Sequence, residues 1–185
     1  MSMSRHTRTR SLAVLGALLA PLATLGCASG APSVPGCTSV TRLAIVAQSV
    51  PGAAYVPCVA ELPTGWRVTH FETQRGRTAF SLLSDRADGR AVDVRLAGSC
   101  DVQGATPLPP RAVGGRTYVR LRSISPQYAG AAFDVFAGGC VRYVFDFARG
   151  PHIVLMEEML AAVELVPRRE LRLRLRTQLG VELDR

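Results

Sequence analysis

Apolar and polar residues alternate with a period of two through the middle of the chain, as Val92, Val94 and Leu96 do with Asp93 and Arg95. Alternation of this kind is typical of antiparallel strands with one buried face and one solvated face. Turn residues, many of them glycine, separate the alternating segments. The pattern predicts six strands, at Trp66–Phe71, Thr78–Ser84, Ala91–Ala97, Thr117–Ile124, Ala131–Ala137 and Cys140–Phe147.

Helical spacing of apolar residues flanks these strands on both sides. It predicts one helix over Thr41–Val50 and a second over His152–Val166. The last segment, from Pro167 to Leu179, alternates Leu with Arg as a strand does, but Pro at its start and Gly180 beyond its end favour a helix. We therefore predict a third helix there. The apolar stripe of the second helix is expected to contain Ile153, Met156, Leu160 and Val163, widened by Leu155 and Met159.

These elements predict a single α+β domain over residues 37–185. We expect an antiparallel sheet of about six strands, with the helices around Thr41–Val50 and His152–Val166 packed on one face. Residues 28–36 are mostly small and include Pro, which predicts a tether. Residues 167–180 are expected to form a basic, helical C-terminal segment.

The first 27 residues follow the order of a secretory signal. Arg5, Arg8 and Arg10 form a positive region without acids, and an apolar run from Leu12 to Leu25 follows it. This run is shorter than the ~20 residues that span a bilayer. We therefore expect residues 28–185 to lie outside the cytoplasm.

The end of the apolar run resembles the lipobox of bacterial lipoproteins, in which a small residue precedes a Cys that becomes acylated. Gly26 and Cys27 match its last two positions, whereas Thr24 stands where that family normally has Leu. The resemblance implies a signal peptide over residues 1–27, lipid attachment at Cys27 and the membrane as a partner. An ordinary secreted form and an uncleaved anchor are the two alternatives.

The other four cysteines are Cys37, Cys58, Cys100 and Cys140. An even number in an exported chain predicts two disulfides, for which three connectivities exist. We favour Cys37–Cys58, across the first helix, and Cys100–Cys140, between two strand ends. No C-x-x-C occurs, so neither a zinc ribbon nor a thioredoxin-like redox site is expected.

The chain has 185 residues, with 22 basic residues against 14 acidic ones, and every basic residue counted is Arg. Neither Lys nor Asn occurs, and both have codons beginning with AA, so we predict a high-GC bacterial genome. The excess of Arg is therefore explained by codon supply before nucleic-acid binding, and no nucleic-acid partner is expected.

The sequence Leu62-Pro63-Thr64-Gly65-Trp66 before the first predicted strand resembles the start of Mog1/PsbP-like domains. That family includes small actinobacterial lipoproteins with an antiparallel sheet between helices. The resemblance implies the same class of fold, and it carries no functional residues.

Few residues indicate chemistry. His70 and Glu72 are expected on one strand face as a candidate acid–base or metal pair, but two ligands are too few for a zinc site. His152 precedes Glu157 and Glu158 without the spacing of an H-E-x-x-H motif. Nucleophile elbows, Walker loops and dinucleotide motifs do not occur. We therefore predict no catalytic residue, metal or cofactor.

Two function classes remain. Asp93, Asp134 and Asp146 are expected on one sheet face, as paired carboxylates are in glycosidases, and this supports a small secreted hydrolase as the alternative. The preferred function is a non-enzymatic envelope lipoprotein or anchored domain that binds an unidentified envelope protein or small ligand. Its clearest candidate surface is a C-terminal cluster that faces anionic lipid headgroups or only solvent, formed by Arg168, Arg169, Arg172, Arg174 and Arg176.

Overall fold

The fold is taken from a computed structural model, which describes residues 34–88, 91–148 and 151–183. Its helices are α1 Val40–Ser49, α2 His152–Ala162 and α3 Arg168–Leu179, and a 3-10 turn spans Asp85–Ala87. Its strands are β1 Tyr55–Val59, β2 Trp66–Gln74, β3 Arg77–Ser84, β4 Ala91–Ala97, β5 Thr106–Leu108, β6 Arg116–Ser123, β7 Tyr128–Phe136, β8 Gly139–Phe147 and β9 Val163–Pro167.

The main sheet is antiparallel and has seven strands in the order β2-β3-β4-β8-β7-β6-β5. The predicted α+β class is confirmed, and all six predicted strands lie in this sheet. The seventh strand, β5, has three residues and pairs with β6 inside a Pro-rich segment that the sequence pattern treats as a loop.

A second sheet contains only β1 and β9, which pair antiparallel with Cys58 opposite Glu164. The prediction of a helix up to Val166 is wrong at its end, because α2 stops at Ala162 and the chain continues as β9. The cause is tertiary: β1 offers a free edge to a run rich in Val, and strand propensity depends on such partners more than helix propensity does.

The main sheet has two different faces. On the covered face, Val94, Tyr143 and Phe145 have no exposed surface and belong to one hydrophobic cluster with residues of all three helices. On the open face, Asp93, Arg95 and other charged side chains alternate with them, as the period of two predicts. The helices and the small sheet therefore pack on one side of the main sheet, and the other side meets solvent.

Helix α2 packs on the sheet through Leu155, Met159 and Ala162, which are buried at a spacing of three to four residues. The predicted stripe is partly wrong, since Ile153 is 73% exposed. Apolar residues occur all around this helix, so their spacing alone does not select the buried side.

Helices α1 and α3 lie side by side and are joined by buried polar contacts. Arg168, at the start of α3, donates hydrogen bonds to the carbonyl oxygens of Ala47, at 2.7 Å, and Val50. Arg174, two turns later, donates to the carbonyl oxygen of Cys37 at 3.1 Å, just before α1 begins. The two helices therefore run antiparallel, and α3 lies beside the residues with which the domain begins.

Candidate functional site

Both favoured disulfides are present. Cys37 and Cys58 are joined with their Cα atoms 4.9 Å apart, and Cys100 and Cys140 with their Cα atoms 6.0 Å apart. Disulfides persist in oxidising compartments, so they indicate an environment outside the cytoplasm. Within the described ranges, no helix is both long and apolar enough to cross a membrane. Cys27, the expected lipid attachment site, lies outside the described residues.

The three acids of the hydrolase hypothesis do not come together, and this prediction is corrected. Asp93 and Asp146 lie on the open face, but Asp134 lies on the covered face and is 2% exposed. The strand that carries Asp134 has small or apolar residues on both faces, so its sequence does not show which side is buried. Asp134 instead accepts hydrogen bonds from the hydroxyls of Thr117, at 2.7 Å, and Tyr143, at 2.9 Å.

A guanidinium completes this buried cluster. Arg111 donates to Asp134 at 2.8 Å and to the Tyr143 hydroxyl at 2.9 Å. It also donates to the carbonyl oxygens of Leu160 and Val163, where α2 ends. Burial, assisted by the Asp134 charge, raises the pKa of Tyr143 well above its ordinary value, so the phenol remains a donor. The cluster is therefore a structural clamp, because its acceptor oxygens already receive hydrogen bonds from within the protein.

The histidines show no catalytic arrangement. His70 lies 3.5 Å from Glu72 on the open face, as predicted, but both side chains are about half exposed, and Glu72 also pairs with Arg77 at 2.8 Å. His152 stacks on the ring of Tyr128, with the ring centres 5.4 Å apart. Among the described residues, neither His70 nor His152 belongs to a group of three ligands that could hold a metal, and neither has a buried acid–base partner.

The C-terminal arginine cluster is smaller than predicted. Arg168 is buried and Arg174 is partly buried, and both bind backbone carbonyl oxygens at the ends of α1, so they are structural. Burial lowers the pKa of Arg168, and the neighbouring charge of Arg172 acts in the same direction. The surface that remains, called here the α3 face, consists of Arg169, Arg172, Leu173 and Arg176.

A second basic surface lies on the open face of the main sheet. Arg95 of β4 is directly opposite Arg142 of β8, and Arg142 is directly opposite Phe133 of β7. A concavity of about 260 Å³ opens above this row. We call it the sheet pocket, and its charged lining residues are Arg77, Arg95, Arg120, Arg142 and Asp101.

The ring of Phe133 forms the floor of this pocket. The guanidinium carbons of Arg120 and Arg142 lie 5.4 Å and 5.9 Å from its centre. Phe133 is only 1% exposed, although it is on the open face, because these side chains cover it. The alternation of charges in the sequence is equally consistent with cross-strand ion pairs, so the register was needed to find two opposed arginines.

The residues of the Leu62–Trp66 motif form a turn and an anchor. Gly65 has a φ of +83°, and the Trp66 amide donates to the Pro63 carbonyl oxygen at 3.0 Å. The Trp66 indole donates to Glu158 at 2.8 Å, and Arg86 donates to the same carboxylate. Arg86 and, to a lesser degree, Trp66 lower the pKa of Glu158, against the effect of burial. These contacts hold β2 to α2.

Comparison with known proteins gives no assignment: no protein-family model, no curated protein and no solved structure matches the chain.

Proposed function

We propose that the protein is a non-enzymatic envelope domain, anchored through Cys27, that lies on an anionic membrane surface through the α3 face. The arrangement of that face carries the proposal. Arg169, Arg172 and Arg176 are exposed at a spacing of three and four residues, which places them on one side of the helix. Leu173 lies among them and is 60% exposed.

The place where the described domain begins supports this orientation. Gly36 pairs with Val59, and Arg174 binds the backbone of Cys37, so the domain begins next to α3. Residues 28–36 are nine residues, which reach about 30 Å at most when fully extended. A lipid at Cys27 therefore leaves the α3 face free to reach the headgroups.

The energetics fit a surface contact that assists an anchor. Each Arg near an anionic membrane contributes about 1 kcal/mol. Arg176 also pairs with Glu182 at 2.7 Å, so Arg169 and Arg172 are the two main contributors. Their attraction falls with salt, because exposed charges are screened beyond about 8 Å at physiological ionic strength.

Arginine-specific modification by phenylglyoxal tests the proposal on the full chain. The chain is incorporated into phosphatidylcholine vesicles with or without phosphatidylglycerol, and each arginine is followed by mass spectrometry. We expect Arg169 and Arg172 to react more slowly when phosphatidylglycerol is present, and the protection to disappear at high salt. Arg75 and Arg116, which are exposed elsewhere, serve as references.

Paired variants distinguish a specific effect of the α3 face from an effect of the net charge of the protein. Arg169→Gln/Arg172→Gln should lose the preference for phosphatidylglycerol, whereas Arg75→Gln/Arg116→Gln, with the same change of charge, should keep it. Equal modification of the α3 face in both kinds of vesicle contradicts the proposed orientation.

A further inference from the structure

We propose that the sheet pocket binds a phosphate group, either the free ion or the terminal phosphomonoester of a larger ligand. This inference is independent of the α3 face, which lies on the other side of the main sheet. It rests on the charge of the pocket, on the way its arginines are held and on its size.

The pocket has an unbalanced positive charge. Four arginines and one aspartate are its charged lining residues. Like charges directly opposite each other destabilise an antiparallel pair, and Arg95 and Arg142 have this arrangement. An anion between them removes the repulsion.

Nearby acids neutralise the pocket only in part. Asp93 is 3.8 Å from Arg95, and Asp101 is 3.8 Å from Arg120, both longer than hydrogen bonds. Arg142 has no ion pair with a carboxylate among the residues that the structure describes. Arg77 is the exception, with its direct bond to Glu72. Three guanidiniums therefore keep donors for a ligand.

The pocket is also preorganised. Arg120 and Arg142 stack on Phe133, and a guanidinium stacked on a ring keeps the N–H groups at its edge available. Cys140, at the start of β8, is bonded to Cys100, which lines the pocket. The floor and one wall are therefore fixed before a ligand binds, which reduces the entropy lost on binding.

The number of donors favours phosphate over carboxylate. One guanidinium satisfies a carboxylate through a two-pronged bond, whereas a phosphomonoester offers three charged oxygens to several guanidiniums at once. At about 260 Å³, the pocket is smaller than those that enclose whole drug-sized ligands. It therefore suits an anionic group whose attached body extends over the open face.

Isothermal titration of the full chain in a nonionic detergent tests the site, with inorganic phosphate, glycerol 3-phosphate and acetate as probes at constant ionic strength. We expect both phosphates to bind and acetate to bind at least tenfold more weakly. Stronger binding of glycerol 3-phosphate than of inorganic phosphate identifies an ester as the ligand, and equal binding identifies the ion.

Single variants locate the binding. Arg142→Ala should weaken phosphate binding at least tenfold, since a bond to a charged group is lost. Arg142→Lys keeps the charge without the planar fork and should weaken it several-fold. Arg67→Ala is the matched control, because Arg67 is exposed on the same face, pairs with Asp85 and is outside the pocket lining. It should bind as the parent chain does.

Asp101→Asn gives a change in the opposite direction. It removes the one carboxylate of the lining, while its side-chain oxygen can still accept from the Gln103 amide, as Asp101 does at 2.9 Å. Phosphate affinity should rise several-fold. The proposal is overturned if neither phosphate binds, if acetate binds equally well, or if Arg142→Ala and Arg67→Ala bind alike while both remain folded by circular dichroism.

Discussion

Arg111 Nη1 lies 2.8 Å from Asp134 Oδ2, and this pair joins the Pro-rich segment before β6 to the covered face of the main sheet. The carboxylate is 2% exposed and the guanidinium side chain 23%. Because the same guanidinium also binds the carbonyl oxygens of Leu160, near the end of α2, and Val163, at the start of β9, one side chain connects a loop, the sheet and a helix end.

Arg111→Met should therefore destabilise the protein by about 3–5 kcal/mol, because it leaves a buried carboxylate without its cation. Arg67→Met is the matched control: its partner Asp85 is 64% exposed, and a surface pair contributes about 0–1 kcal/mol. Denaturant unfolding of both variants measures the difference. Equal losses would mean that the Arg111 cluster is not a clamp.

Gly138 is expected to tolerate no side chain. Its φ is +70°, and an added Cβ would meet the Gly52 carbonyl oxygen at 1.8 Å. Gly104 has a φ of +71° with open space around it. Gly104→Ala should therefore reduce the free energy of unfolding only by the cost of holding Ala in the left-handed conformation, about 1–2 kcal/mol. Gly138→Ala should lower the melting temperature considerably more, since two turns must move apart.

The pH dependence of stability should include Glu158. Arg86 lowers the pKa of this carboxyl in the folded state, so the folded protein favours the carboxylate. The resulting stabilisation is complete above the ordinary carboxyl pKa of about 4.3 and is lost as the pH falls through the lowered value. Glu158→Gln should thus be less stable than the parent chain at neutral pH and nearly equal to it in strong acid.

Circular dichroism during denaturation at several pH values measures this convergence. Glu157→Gln, a change at the neighbouring exposed carboxylate, should keep the pH profile of the parent chain. If the Glu158→Gln and parent curves stay a constant distance apart, Glu158 has no linked proton.

The alternation of apolar and polar residues is enough to predict the central strands of the main sheet. The six central strands alternate clearly, and their turns contain glycine, so their positions follow from the chain alone. By contrast, β1 and β9 contain Pro57 and Pro167 and form a small sheet with each other, so no local signal distinguishes them from a loop or a helix end. Strand pairing across more than a hundred residues is not visible in a periodicity.

The two proposed binding surfaces were predictable from the sequence to different degrees. The C-terminal arginines stand out in the sequence, but the hydrogen bonds that bury Arg168 depend on how α1 packs against α3. The sheet pocket depends on register, because a shift of one residue would move Arg142 to the other face of the sheet. Functional residues on a sheet face are therefore found only once the neighbours of each strand are known.

The proposed lipid attachment at Cys27 gives a separate prediction. Cys27→Ala should abolish labelling by a fatty-acid probe, and should leave either an uncleaved precursor or a released protein. The parent chain should contain no titratable thiol when denatured without reductant, since the other four cysteines are paired. Intact mass checks both statements, and an unmodified Cys27 or a retained residue 1–26 segment would refute lipidation.

The pairing of β1 with β9 also limits the order in which parts of the protein can fold. Cys58 and Glu164, which are opposite each other, are 106 residues apart. A chain that crosses a membrane N-terminus first delivers β1 well before its partner strand β9. The Cys37–Cys58 bond spans only 21 residues and can form at once, but the small sheet cannot. In a chain exported in this direction, the small sheet therefore stays open until β9 has emerged.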